Sequence, residues 1–67
     1  MRVKYFEDTD TALLEFNDRA VAESREVSEN VYVDLDADGN VVNITIEHAR
    51  RATNLPELAY ESVPSRA

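Results

Sequence analysis

Apolar residues recur at every second position along most of the chain, and the phase of that alternation marks out strands. The clearest case is the stretch 31–46. Val31, Val33 and Leu35 alternate with Tyr32, Asp34 and Asp36, while Val42, Ile44 and Ile46 alternate with Asn43 and Thr45. Between the two runs lies the only glycine, in Asp38-Gly39. A two-residue type I′ turn suits that dipeptide, since both central positions need positive φ. It predicts a hairpin in which Leu35 faces Val42, Val33 faces Ile44 and Val31 faces Ile46. A three-residue loop with a bulge at Gly39 would set Leu35 opposite Val41 and turn Val42, Ile44 and Ile46 to water, so the apolar phase argues against it. Val33, Leu35, Val42, Ile44 and Ile46 are the expected core. Tyr32, Asp34, Asp36, Asn43, Thr45 and Glu47 are left on the opposite face.

The remaining segments follow the same logic. Val3 and Tyr5 share one side of a strand over 2–6, Glu7-Asp8-Thr9-Asp10 turns the chain, and Ala12, Leu14 and Phe16 form the apolar phase of a strand over 11–16. Pairing Tyr5 with Ala12 and Val3 with Leu14 keeps both apolar sets together and leaves Leu13 outside. Over 21–27 neither phase is a convincing core face, because one holds Val21, Glu23, Arg25 and Val27 and the other Ala22, Ser24 and Glu26. That composition suits an edge strand or one twisted partly out of the sheet. Short connections favour an antiparallel meander whose neighbours in sequence are neighbours in space. The last strands are expected at 31–37 and 40–47. Beyond Ile46, Leu55, Leu58, Ala59 and Ser62 or Val63 are spaced as a helical stripe over 55–62, with Pro56 tolerated in its first turn and Pro64 ending it. The fold class is therefore mainly β (α+β), one small domain with a single antiparallel sheet of four to five strands and a short C-terminal helix.

Composition narrows the function classes. A chain of 67 residues with 43% apolar and 31% charged residues is globular in class, yet too small for a full core and a deep cleft together. It has no cysteine, which removes disulfides and thiolate metal sites. No apolar run of signal-peptide or membrane-spanning length is found, so a soluble, cytoplasmic protein without membrane association is expected. Fourteen acidic against seven basic residues give a net charge of −7. A field of that sign repels phosphate backbones, and direct nucleic-acid binding is not expected.

Val3-Lys4-Tyr5, Asp10-Thr11-Ala12-Leu13, the Val-Ala-Glu element at 21–23, and above all Asp34-Leu35-Asp36-Ala37-Asp38-Gly39-Asn40-Val41-Val42 with Ile44 and Ile46 carry a resemblance over roughly residues 1–49. They resemble the small bacterial proteins of domain of unknown function 2283. The family usually continues its last strand with a glycine, a glutamate and a second leucine, where this chain has Asn43, Thr45 and Glu47, and His48 replaces an aspartate. The resemblance implies a compact, mainly β fold and no catalytic activity. Some members look like the small partner of a toxin and antitoxin pair, which implies an antitoxin-like role.

Candidate chemistry is sparse. Asp34-x-Asp36-x-Asp38-Gly39 matches the first half of a calcium loop, but the position that needs a bidentate glutamate is Thr45. In an extended strand Asp34 and Asp36 would also stand about 7 Å apart. The single His48 has no second imidazole or evident acid partner, the serines lack a nucleophile-elbow context, and one glycine makes no phosphate-binding loop. Glu23 and Arg25 read as a structural ion pair or an exposed edge, and Arg50-Arg51 as a helix-end cap or charge balance rather than a phosphate grip. No enzyme activity and no cofactor are expected. The expected role is a non-catalytic interaction module in which Tyr32, Asp34, Asp36 and Asp38 face a basic protein partner. The alternatives are calcium binding by the hairpin carboxylates and a homo-oligomeric structural domain. Two open sheet edges and a small core also favour a homodimer.

Overall fold

The computed structural model describes residues 1–53 and 61–64. Its strands are β1 (Arg2–Phe6), β2 (Thr11–Glu15), β3 (Glu23–Ser28), β4 (Val31–Leu35) and β5 (Val41–Glu47), followed by α1 (Ala49–Ala52). All five strands form one antiparallel sheet, as the alternation predicts. Most of the helix expected over 55–62 lies outside the described residues, while 61 and 62 carry no helix.

The β1–β2 pairing has the expected register, with Val3 opposite Leu14 and Tyr5 opposite Ala12. The strand order is β1-β2-β5-β4-β3, which corrects the simple meander. β3, β4 and β5 do run as a meander, but β2 pairs with β5 and β3 becomes an edge. A full meander would place β3 in the centre, so meander order and a polar edge strand were incompatible expectations. Burial decides between them. On β5, Ile44 and Ile46 lie opposite Leu14 and Ala12 of β2 and opposite Val33 and Val31 of β4. On β3, every residue is exposed. Joining apolar faces on both sides of β5 buries more surface than placing Glu23 and Arg25 between them.

The stretch 16–22 makes this order feasible. It runs from β2 to β3 past the two intervening strands, β5 and β4, and is bonded to both along the way. Phe16 N–H donates to the Val42 carbonyl at 2.9 Å, Asn17 Nδ2 to the Val41 carbonyl at 3.1 Å, and Ala22 N–H to the Leu35 carbonyl at 2.8 Å.

The hairpin loop differs from the expected two-residue turn. Gly39 N–H donates to the Asp36 carbonyl at 3.1 Å and Asp36 N–H to the Asn40 carbonyl at 2.8 Å, so the loop is Ala37-Asp38-Gly39. Gly39 has φ +84°, whereas Asp38 is not at positive φ, which excludes type I′. Leu35 accordingly faces Val41, as the rejected loop requires. A second irregularity repairs the phase. The register shifts again between Asp34 and Leu35, so Asp34 faces Asn43, Val42 is the extra residue, and the expected pairs Val33–Ile44 and Val31–Ile46 survive. The bulge also rotates Val42 inward to 2% exposure and leaves Val41 40% exposed.

Among the expected core residues only Val42 is fully buried, joined by Ala12 and Ala49; Val33, Leu35, Ile44 and Ile46 are half-buried. The described strands form a single layer, and a sheet face covers its own side chains only in part. Ala49 is sealed where the chain leaves β5. His48 takes φ 54°, α1 begins, and Ala49 N–H donates to the Asp10 carbonyl at 2.9 Å.

Candidate interaction face

Alternation along five strands places a row of polar side chains across the face opposite the apolar one. Arg2, Glu15, Asn43, Asp34 and Ser24 stand level with one another across the sheet. The next row holds Lys4, Leu13, Thr45, Tyr32 and Glu26. Charge is segregated along these rows. At the β1 end Lys4 Nζ lies 3.3 Å and Arg2 Nη1 4.0 Å from Glu15 Oε1. At the β3 and β4 end the ionisable neighbours are acidic.

Tyr32 is the centre of the acidic end. The negative charge of Glu47, then that of Glu26, pushes its phenol above the ordinary tyrosine value, with desolvation adding to both. Asp34 stands beside it on the same strand. Ser24 Oγ donates to Asp34 Oδ1 at 2.6 Å and Asn43 Nδ2 donates to Oδ2 at 3.3 Å, so the carboxylate is held by two neighbouring strands.

The candidate residues do not form one constellation. Tyr32 and Asp34 lie on the sheet face, and Asp38 is exposed in the loop. Asp36 is only 8% exposed. Its Oδ1 accepts the N–H groups of Asp38 and Asn40, each at 2.9 Å, and Arg19 Nη1 approaches Oδ2 at 3.3 Å. The Asn40 bond, followed by those from Asp38 and Arg19, holds the carboxyl below its ordinary value against the opposing effect of burial. Asp36 thus organises the loop and anchors the crossover from β2. The calcium-like spacing is divided in the same way, with Asp34 bound to side chains of the sheet and Asp36 to backbone of the loop. Among the described residues no group of three His, Asp or Glu side chains is placed to hold a metal ion.

Glu26 and Glu47 complete the acidic end and were not among the candidates. Glu47 was legible from its phase, but Glu26 required the β3–β4 register that sets it opposite Tyr32. A second aspartate that sequence patterning read only as a turn residue closes the other end of the molecule. Asp10, at φ 54°, accepts the Tyr5 hydroxyl at 2.6 Å and the Arg50 N–H at 3.0 Å through Oδ1, while the Arg50 guanidinium lies 5.9 Å from the Tyr5 ring centroid. The Tyr5 bond leads in holding the Asp10 carboxyl low. His48 is exposed at the strand end nearby. Glu23 and Arg25 do form an exposed ion pair on β3, as expected.

The profile of a family described as protein of unknown function (DUF2283) matches residues 2–50, which takes in the whole sheet and the start of α1. No curated protein and no solved structure matches the chain. No described helix is long and apolar enough to cross a membrane.

Proposed function

The chain belongs to the DUF2283 family of proteins of unknown function, and from that premise we propose that it is a non-catalytic interaction module whose acidic end binds a basic protein partner. The observation that carries this reading is the placement of Tyr32 between Glu26 and Glu47, with Asp34 alongside, on a face made of paired strands. Hydrogen-bonded strands hold these groups in a fixed arrangement, so little order has to be gained on binding. An aromatic ring gives contact area, and the surrounding carboxylates speed encounter with a positive surface. Ser24 and Asn43 both donate to the Asp34 carboxylate, which fixes its position on this face.

The test is affinity capture from native cytosol with the wild type and with a Glu26→Lys/Asp34→Lys variant, at low and high salt, after circular dichroism has shown that both fold. The reading expects a basic protein retained by the wild type at low salt and released by either the variant or high salt. Retention of the same proteins by both forms, or of none by either, refutes it. Asp36 is excluded from the variant because its loss would disturb the loop.

A further inference from the structure

β3 is the outermost strand of the sheet and no described residue pairs with its outer side. The register shift between Glu26 and Ser28 ends its regular part, which leaves the segment around Glu23-Ser24-Arg25-Glu26 as the usable edge. Glu23 and Arg25 point to the same face, are 50% and 65% exposed, and in the single chain are paired with each other.

We propose that two copies of this chain associate through β3, antiparallel, about a two-fold axis passing through Ser24. Residues that oppose each other across antiparallel strands share a face, so the axis must run through a residue rather than between two. Centring on Ser24 sets Glu23 opposite the partner subunit's Arg25, and Arg25 opposite the partner subunit's Glu23. Centring on Glu23 or on Arg25 instead faces like charge with like charge, which is unfavourable. β1 offers no such self-match, because Arg2 and Lys4 give its polar phase one sign. A two-fold contact closes on itself and satisfies the edge without leaving a further β3 exposed. It joins two five-stranded sheets edge to edge and presents two acidic faces on one side.

The test combines sedimentation velocity with cross-linking. The wild type is expected to show a monomer–dimer equilibrium at high micromolar concentration with no larger species. Arg25→Glu should weaken association roughly tenfold or more, since it places carboxylates against carboxylates. The charge swap Glu23→Arg/Arg25→Glu restores opposite charges across the axis and should restore the dimer. Circular dichroism checks that each variant folds. Independently, Ser24→Cys introduces a thiol into a chain that has none. On the axis the paired Cα atoms stand about 4.5–5.5 Å apart, within disulfide reach. Mild oxidation should then yield a linked dimer, whereas Asn40→Cys in the hairpin loop should not. A wild type that stays monomeric overturns the proposal. So do a dimer indifferent to Arg25→Glu, a folded swap variant that stays monomeric, equal cross-linking of both cysteine variants, or open-ended assemblies from β1–β3 pairing.

Discussion

β5 and β3 are neighbours in length, seven and six residues, yet one forms the middle of the sheet and the other its margin. β5 offers an apolar face that β2 and β4 both share, and its polar phase meets Thr11, Leu13 and Glu15 on one side and Tyr32 and Asp34 on the other. β3 has one neighbour, six exposed residues, and an ion pair where β5 has isoleucines. The difference teaches that a strand's place in this sheet follows from how many apolar neighbours its face can use, not from its place in the chain. The crossover 16–22 adapts to that requirement by binding the hairpin it passes.

The sharpest way to break the comparison is to remove matter from each strand. Ile44→Ala should cost about 2–3 kcal/mol in urea unfolding, the lower part of the usual range because the side chain is half-buried. Arg25→Ala should leave the midpoint almost unchanged. Equal losses would mean that the centre and the margin contribute alike.

The loop that caps β4 and β5 yields the next effect. Gly39→Val should cost about 1–2 kcal/mol through backbone strain at φ +84°, since an added Cβ meets nothing within 4 Å. Gly39→Asn should recover much of that loss, because asparagine tolerates the left-handed region. A valine variant as stable as the wild type would remove the three-residue loop from the account.

Acid titration separates the anchored ends of the molecule from its margin. Asp10 and Asp36 bind protons less readily in the native protein than their ordinary value of 3.8 allows. Their contribution to stability is therefore complete above that value and is lost as the pH falls below it toward the native value. Melting temperature should drop along this acid limb, and an Asp10→Asn/Asp36→Asn variant should be less stable near neutrality but flatter in acid. An unchanged acid limb in that variant would show that neither carboxylate matters to folding. The smallest effect is expected at the margin. Val27→Thr, at a side chain 64% exposed, should change unfolding free energy by less than about 0.5 kcal/mol.

Much of the candidate face was legible from period two alone, because Tyr32 and Asp34 alternate strictly with Val31, Val33 and Leu35. Glu26 was not, since its distance from Tyr32 depends on which strands pair and in what register. Asp36 kept the same phase as Asp34 on paper, but a loop that folds back brought Asp38 and Asn40 N–H groups onto its carboxylate.

By itself, then, the sequence determined the existence and limits of the strands, with Arg2–Phe6 as expected and β2, β4 and β5 within two residues at each end, because a face that alternates apolar with polar is a local property. It also offered an edge as one of two places for β3, because neither of its phases makes a core face. Only the tertiary structure decided the order of the sheet, the paired irregularities that bring Leu35 opposite Val41 and still keep Val33 on Ile44, and the duties of the two anchoring aspartates. Those features rest on partners far apart in the chain, 17 residues for Arg19 with Asp36 and 40 for Arg50 with Asp10, and no local pattern encodes a bond whose other half arrives only when the sheet has closed.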